Sequence, residues 1–343
     1  MKACVLNNIK DLRCMELAKP SPKSNEVLLK IRACGICSSD YARVFKTGTY
    51  HFPTIPGHEF SGEIVAVGEG VDPDLIGKSA VVFPLLPCRK CEACQHKFWA
   101  QCSNYNYFGS RCDGGFSEYI SVPLWNILTY DYDIPYDVAA MTEPAAVAWH
   151  AVSKANIINS STVCVSGSGT IAIFCALWAK NKGAKNVIVT CRNTEKYKFL
   201  KNLGLEAYLL KEEKDLKSFL ESYSFDSVIE CVGSLSSIDL SISCVKQKGK
   251  VLLVGNPEDD LISLNKKTYW KILRSELNIQ GVWNSSFKST EDDWVKVLLE
   301  FSKDYRKYEK LITHKFSLEE CEKAFNLLTD KSVFSIKGMF ING

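Results

Sequence analysis

The sequence predicts an α/β protein of two domains, one a largely antiparallel, barrel-like domain and the other a doubly wound parallel sheet. Up to about residue 150, short β-like runs such as 27–31 and 62–68 are separated by frequent turn residues, which is typical of antiparallel structure. From about 155 to 280, apolar strands alternate with helical segments, which indicates a parallel sheet covered by helices. A chain of 343 residues is long enough for two cores.

The order of the predicted elements along the chain indicates where the two domains begin and end. The last segment, from about 281, carries two amphipathic helices and a final strand, and we expect it to return to the first domain. We therefore predict one domain at 1–152 with 283–343 and the other at 153–282. The predicted elements are a strand at 163–165, a helix to 180, a strand at 186–190, a helix at 194–203, strands at 227–231 and 250–255, helices near 292–302 and 318–329, and a strand at 337–341.

Composition excludes several classes of protein. A formal charge of +3, without blocks of like charge, does not favour binding to nucleic acid or to an anionic membrane surface. The start of the chain has no apolar stretch typical of a signal peptide, and the most apolar window, 163–179, is interrupted by a glycine-rich turn. We therefore expect a cytoplasmic protein whose fifteen cysteines are reduced, some as metal ligands and the rest as small buried hydrophobes.

Four cysteines within fifteen residues form the most specific motif, in a lobe at about 85–112. Zinc in a structural site takes four tetrahedral ligands with no open position, and thiolates are preferred ligands. Chance clustering, or a redox pair in one Cys-x-x-Cys unit, is disfavoured by the number and spacing. An iron–sulfur cluster is the main competitor, but the spacing differs from the ferredoxin patterns. The predicted ligands of a structural zinc are Cys88, Cys91, Cys94 and Cys102.

A second set of metal-binding residue types is spread along the chain. Cys37, His58 and one or two carboxylates, from Glu59 and Glu143, would form a mixed sulfur, nitrogen and oxygen shell. A catalytic zinc needs three protein ligands of this kind and an open position, where it polarises an alcohol oxygen. Taken singly, such a histidine is more often structural, and Glu143 before a proline also suits a helix start.

A glycine turn marks a nucleotide site. Gly167-x-Gly169-x-x-Ala172 follows a predicted strand and opens an apolar helix. In this context the first glycine makes the tight turn, the second lets a pyrophosphate approach the backbone, and the helix N-terminus at Thr170 and Ile171 faces the phosphates. The turn predicts a dinucleotide cofactor.

These motifs together resemble the zinc-containing medium-chain dehydrogenase/reductase family over essentially the whole chain. The resemblance implies a GroES-like β-barrel catalytic domain and a Rossmann cofactor domain. It also implies that Cys37 and His58 bind zinc, that Glu59 lies at the metal, and that Ser39 relays the substrate proton. The matching stretches are Cys37-Ser38-Ser39-Asp40, Gly57-His58-Glu59, the four cysteines, Glu143-Pro144 and the glycine turn.

Glu143 is the residue that indicates the branch of the family. It occupies the position where the simple alcohol dehydrogenases have a ligand cysteine, and a glutamate there resembles the polyol dehydrogenases. Whether Glu59 or Glu143 binds zinc directly stays open from sequence. Four further segments are most similar to dehydrogenases of sugar-alcohol phosphates: 83–88, 98–102, 108–116 and 271–277.

The end of the second predicted strand favours NADP(H) over NAD(H). NAD-binding domains have an acidic residue there for the ribose 2′-hydroxyl, whereas this chain has Cys191-Arg192-Asn193. Arg192, with Lys196, would pair with a 2′-phosphate. The alternative is that Arg192 is a solvated surface residue and that NAD binds without an acidic partner.

The implied substrate is a sugar alcohol or its phosphate, oxidised reversibly at a secondary hydroxyl. Lys46 and Arg111 are the candidate phosphate partners, and Tyr50 and Phe108 are candidate walls of the substrate site, although we expect at least one of the two aromatics to belong to the core.

The alternatives are a dehydrogenase of another secondary alcohol, such as a diol or amino alcohol, and a non-catalytic nucleotide-binding protein. The latter is disfavoured because the catalytic residues are intact. The resemblance also implies a homodimer, with a tetramer as the alternative, and two zinc ions per chain.

Overall fold

The computed structural model describes residues 1–257 and 260–343. They form two compact units, one of Met1–Glu143 with Ser286–Gly343 and the other of Pro144–Ser285. The sequence predicts boundaries after residue 152 and before residue 283, whereas these compact units divide after Glu143 and before Ser286. The first difference arises because the helix after Glu143 packs within the second unit, where the indole Nε1 of Trp178 donates to the carbonyl oxygen of Ala145 at 2.9 Å.

The first unit begins with nine strands and three short helices. The strands include one of eleven residues, and the three α-helices are four or five residues long. The strands are β1 (Lys2–Asn8), β2 (Asp11–Glu16), β3 (Glu26–Ile36), β4 (Glu59–Val67), β5 (Ser79–Val82), β6 (Leu85–Leu86), β7 (Asn106–Tyr107), β8 (Tyr119–Pro123) and β9 (Ile127–Tyr130), and the helices are α1 (Ser38–Ala42), α2 (Glu92–Gln95) and α3 (Tyr136–Ala140).

The second unit alternates strands and helices, as predicted. Its elements are α4 (Thr142–Lys154), β10 (Thr162–Ser166), α5 (Thr170–Asn181), β11 (Asn186–Cys191), α6 (Thr194–Asn202), β12 (Glu206–Leu209), α7 (Glu213–Ser222), β13 (Phe225–Glu230), α8 (Leu235–Cys244), β14 (Val245–Leu253), α9 (Lys266–Ser275) and β15 (Asn278–Gly281). The remaining elements belong to the first unit: α10 (Asp293–Lys303), α11 (Tyr305–Glu309), β16 (Ile312–Phe316), α12 (Cys321–Thr329) and β17 (Lys337–Ile341).

Strand β3 organises the first unit. It pairs antiparallel with β4, β8 and β17, within a sheet of order β16-β17-β3-β4-β5-β9. Its alternate residues Val27, Leu29 and Ile31 are fully buried in one hydrophobic core, which is the period of two that a half-buried strand requires. Because β17 pairs with β3, the C-terminal segment returns to the first unit.

The second unit contains a six-stranded parallel sheet of order β12-β11-β10-β13-β14-β15. Numbered along the unit, this is the order 3-2-1-4-5-6 of the dinucleotide-binding doubly wound fold. The central residues Val163, Cys164 and Val165 of β10 are fully buried, as expected of a strand covered on both faces. The predicted parallel sheet is confirmed.

No helix in residues 1–257 and 260–343 combines the length and the apolar character needed to cross a bilayer.

Candidate active site and cofactor site

The four predicted structural ligands converge in one lobe beside the β6–β7 pair. The sulfurs of Cys88, Cys91, Cys94 and Cys102 all lie within 4.8 Å of one another. The Sγ atoms of Cys91 and Cys102 are 3.8 Å apart, and two thiolates on a tetrahedral zinc with bonds of about 2.3 Å are ~3.8 Å apart. The arrangement therefore fits a closed tetrahedral site.

Backbone amides in the lobe favour thiolates. The N–H groups of Lys90 and Cys91 lower the pKa of the Cys88 thiol. Those of Ser103 and Cys94 lower the pKa of the Cys91 thiol to about 5. The backbone amides therefore favour the thiolate form, which metal ligation requires, at two of the four cysteines, whereas burial raises the pKa of the Cys94 thiol to about 12.

The predicted catalytic ligands are brought together by strand pairing. Gly35 in β3 lies opposite Glu59, the first residue of β4. Cys37 follows two residues after Gly35 and caps α1, and His58 precedes Glu59. Ligand atoms of Cys37, His58 and Glu59 lie within 4.8 Å of one another, so the register of β3 on β4 assembles a three-donor cluster.

Glu59 is held by a partner that the sequence did not reveal. Lys337, the first residue of β17, places its Nζ 2.5 Å from Glu59 Oε2, and both side chains are at most 3% exposed. A Cβ at position 35 would overlap the same carboxylate oxygen, so glycine is required opposite Glu59. The Lys337 ammonium balances the charge of Glu59, which would otherwise be buried without a partner.

Glu143 lies just outside the three-donor cluster. It is buried in the first turn of α4, and its Oε1 accepts a hydrogen bond of 3.3 Å from the Tyr107 hydroxyl. Burial raises the pKa of Glu143 to about 7. The Tyr107 ring also packs against the His58 ring, with centroids 5.6 Å apart. Tyr107 therefore joins Glu143 to the three-donor cluster.

Asp40 lies next to two members of the three-donor cluster, Cys37 and His58. It is fully buried, accepts the backbone N–H of Cys37 at 3.0 Å and lies 3.5 Å from His58 Nδ1. That distance leaves Nδ1 as a buried atom without a hydrogen-bond partner in the described chain. Although burial opposes it, the neighbouring His58 and the Arg43 guanidinium hold the pKa of Asp40 at about 2.

The two candidate phosphate partners, Arg111 and Lys46, have different surroundings. Arg111 is held by aromatic rings, with its guanidinium carbon 4.2 Å from the ring centroid of Tyr50 and 4.4 Å from that of Tyr105. Its Nη2 donates to the Tyr50 hydroxyl at 3.0 Å. Lys46 is exposed on the turn after α1, and no ion pair of it is found within the described residues.

Phe108 is not available as a wall of the substrate site. Its side chain is 4% exposed and belongs to the hydrophobic core of the first unit, where it packs edge-on against Phe60. Of the two aromatic candidates, Phe108 is therefore the core residue, while Tyr50 is 70% exposed.

The glycine turn has the conformation that its motif requires. Gly167 has a φ of +116°, and a Cβ there would lie 2.9 Å from Val232 Cγ2. Gly169 caps the twelve-residue helix α5, which begins with Thr170 and Ile171, and a Cβ there would meet nothing within 4 Å. The open space above the helix N-terminus fits an approaching phosphate.

A buried carboxylate next to this turn was missed by the sequence reasoning. Glu230 ends β13, and its Oε1 accepts the N–H of Val232 at 2.7 Å and the hydroxyl of Ser237 at 2.6 Å. The Ser237 hydroxyl also contacts that of Ser166, the residue before Gly167, at 2.9 Å. Glu230 thus ties the end of β13 to the start of the glycine turn.

The residues predicted to select the cofactor lie where β11 ends and α6 begins. Arg192 is exposed, and its Nη2 donates to the Ser236 hydroxyl at 2.9 Å. Lys196 is half-buried on the first turns of α6. Cys191 is buried, with its sulfur 3.7 Å from the carbonyl oxygen of Tyr208. The exposed residues directly after β11 are Arg192 and Asn193.

The chain matches known dehydrogenases over nearly its whole length. Residues 23–132 match the alcohol dehydrogenase GroES-like domain, and residues 170–303 match the zinc-binding dehydrogenase domain. The galactitol 1-phosphate 5-dehydrogenase of Escherichia coli (strain K12) is 34% identical over 330 residues, which are 94% of this chain and 95% of that protein.

Two further comparisons agree. The sorbitol dehydrogenase of Bacillus subtilis (strain 168) is 29% identical over 94% of this chain and 92% of its own length. The crystal structure of galactitol-1-phosphate dehydrogenase from Escherichia coli covers all of both chains with a TM-score of 0.91 and 33% identity. The predicted fold and family are confirmed: this chain belongs to the zinc-containing medium-chain dehydrogenase/reductase family, as an oxidoreductase of the alcohol dehydrogenase type.

Proposed function

We propose that the protein interconverts a secondary alcohol of a sugar alcohol, or of a sugar-alcohol phosphate, and the corresponding ketose by hydride transfer to and from NADP(H). The observation that carries the proposal is the cluster of Cys37, His58 and Glu59, with Ser39 on the adjoining turn and Glu143 beside it. The similarity to dehydrogenases of galactitol 1-phosphate and of sorbitol supports the substrate class.

The donor set fits a catalytic zinc. One thiolate, one imidazole and one carboxylate leave a position for the substrate oxygen, and the buried Nδ1 of His58 faces Asp40, so Nε2 is the nitrogen available to the metal. A zinc ion bound here polarises the alcohol oxygen and lowers its pKa. We propose Glu59 as the carboxylate ligand through Oε1, because its Oε2 is engaged by Lys337 and because Glu143 lies outside the cluster.

The remaining residues have distinct tasks. Ser39 accepts the proton that the substrate hydroxyl loses. Glu143 and Tyr107, joined by their hydrogen bond, present polar oxygens next to the metal site that suit the neighbouring hydroxyls of a polyol. The four-cysteine lobe offers no open position once its tetrahedron is closed, so we propose that its zinc is structural and that the chain holds two zinc ions.

A substrate panel tests the proposed function. The purified protein is incubated with NADP⁺ and with sorbitol, galactitol, galactitol 1-phosphate, 2,3-butanediol and threonine in turn, and reduction of the nicotinamide is followed by absorbance. We expect turnover with a polyol or polyol phosphate. Faster turnover of the diol or the amino alcohol would contradict the substrate class, and no turnover of any alcohol would contradict the enzyme.

The cofactor preference follows from the groups around Arg192. The guanidinium and the Ser236 hydroxyl, 2.9 Å apart, are suited to a 2′-phosphate, and the residues directly after β11, 192–194, include no carboxylate to repel one. Replacement of Arg192 by alanine should raise KM for NADPH by about 10- to 100-fold and leave KM for NADH nearly unchanged, because it removes charge-assisted hydrogen bonds. Lys198→Ala is the control, because Lys198 lies on the following helix α6 and is paired with Glu195. An equal effect on both cofactors would contradict the assignment.

Arg111 is our candidate for recognising a substrate phosphate. Tyr50 and Tyr105 hold its guanidinium on two sides, which reduces the entropy lost when a phosphate binds. Arg111→Ala should raise KM for a phosphorylated polyol by about 10- to 100-fold and change KM for the unphosphorylated polyol little. The control is Lys46→Ala, which removes the exposed alternative cation. An unchanged KM for the phosphorylated polyol in Arg111→Ala would remove this residue from the proposal.

We also propose a homodimer formed through the second unit. Strand β15 is an edge of the parallel sheet, and an exposed edge favours pairing with another strand. Exposed apolar side chains lie on this strand and on the neighbouring segments of the chain: Leu261, Tyr269, Leu273, Ile279 and Trp283. These residues supply the apolar area that a stable interface between two copies needs.

A further inference from the structure

A cationic side chain, that of Arg43, extends into the candidate active site from the turn after α1. Arg43 lies one helical turn beyond Ser39 and Asp40, where residues three and four apart share a face. Its Nη1 is 3.1 Å from Ser39 Oγ and 2.8 Å from Asp40 Oδ1, and its side chain is only 20% exposed. The guanidinium is therefore fixed between the proposed proton acceptor and the carboxylate that supports the metal ligands.

The ion pair between Arg43 and Asp40 does not explain the hydrogen bond between Arg43 and Ser39. Asp40 is fully buried and is also bonded to the Cys37 amide and near His58, so a cation beside it has a structural reason. The bond to Ser39 is separate, because Nη1 carries two hydrogens and each has its own acceptor. Within the described residues the structure gives no acceptor to Nε or Nη2.

We infer that Arg43 is a positioning residue for proton transfer through Ser39. A serine oxygen has two acceptor lone pairs and one proton. With one lone pair bound to Nη1, the other is left to accept the substrate proton, and the serine proton is directed away from Arg43. A guanidinium does not give up its proton in proteins, so Arg43 orients Ser39 and does not act as the base. This role depends on the proposed function.

The step balances in atoms and electrons. On oxidation, the substrate O–H bond breaks and its proton moves to Ser39 Oγ, while the serine proton passes to water. The C–H bond breaks and its hydride moves to the nicotinamide, which is reduced as the alcohol becomes a ketone. The serine proton leaves ahead of the arrival of the substrate proton, so Ser39 Oγ carries partial negative charge in the transition state. The hydrogen bond from Arg43 stabilises that charge, because hydrogen bonds to charged groups are the stronger ones.

Three substitutions of Arg43 distinguish a role in orienting Ser39 from a purely structural role. Arg43→Met removes the charge and the donors, Arg43→Gln keeps a neutral donor, and Arg43→Lys keeps the charge beside Asp40. For each we would measure kcat, KM, the solvent isotope effect on kcat, zinc per chain and the Kd of NADPH. Arg13→Met is the matched control, since Arg13 also pairs with an aspartate in the same unit but is 71% exposed.

We expect Arg43→Met to lower kcat by about 10- to 100-fold, as loss of one charge-assisted hydrogen bond in the transition state should. KM, zinc content and NADPH binding should stay close to those of the wild type, the solvent isotope effect should rise, and Arg43→Lys should recover part of the lost rate. A kcat of Arg43→Met within twofold of the wild type would overturn the inference.

Loss of zinc in proportion to loss of activity in all three variants would also overturn it, because Arg43 would then act only through Asp40. Failure of the proposed function is a different result: the wild-type protein would oxidise no alcohol although it binds NADPH.

Discussion

Replacing Cys37 with alanine should lower kcat/KM by at least about 10³-fold, because a metal that polarises the reacting oxygen supplies several kcal/mol of transition-state stabilisation. The substitution removes one of three donors that lie within 4.8 Å of one another. One zinc per chain should remain, held by the four-cysteine lobe. The measurements are steady-state rates and zinc content on the same preparation.

Cys34→Ala is the matched control for this experiment. Cys34 lies on β3, the strand that leads to Cys37, is 1% exposed and is outside the donor cluster, so its loss should leave both zinc ions and most of the activity. If Cys37→Ala kept two zinc ions, or if it lost no more activity than Cys34→Ala, the assignment of the catalytic ligands would fail.

The second large effect is expected in the structural lobe. Cys94→Ser removes a buried sulfur from the tetrahedron of thiols. Binding of structural zinc supplies about 10–16 kcal/mol in small zinc domains, so the melting temperature should fall by about 10 °C or more. Zinc content should fall to one per chain, and calorimetry together with metal analysis would measure both changes.

Cys112→Ser provides the comparison in the same lobe. Cys112 is not a member of the four-cysteine cluster. This variant should keep two zinc ions and a melting temperature near that of the wild type. The structural role of the lobe would be refuted if Cys94→Ser lost no zinc and melted like Cys112→Ser.

The features that were predictable from sequence depend on contacts between near neighbours in the chain. The four cysteines converge because short spacers confine them to one loop. The glycine turn lies between a strand and the helix that follows it, so its geometry is local. The parallel sheet follows from strands and helices that alternate along the chain.

The features that were missed depend on distant contacts. Lys337 is 278 residues from Glu59, and only the pairing of β17 with β3 brings it to the three-donor cluster. Tyr107 bonds to Glu143 across 36 residues. Arg43 is different, since its spacing of three and four residues from Asp40 and Ser39 on a helical turn was a signal in the sequence.

The domain boundary and Phe108 show a second limit of sequence reasoning. Helix α4 begins at Thr142, and the division between the two units falls within it, after Glu143, so no change in composition marks the point of division. Phe108 lies in a segment similar to those of related enzymes, but its burial against Phe60 depends on how the first unit packs.

The most direct test of the account is the number of zinc ions and their separate removal. We predict two zinc ions per chain, of which a chelator removes first the one with an open coordination position. Activity should disappear with that ion while the fold is retained, and it should return when zinc is added back. A protein that holds a single zinc ion, or that stays fully active after losing the more labile one, would contradict the proposed division between a structural and a catalytic site.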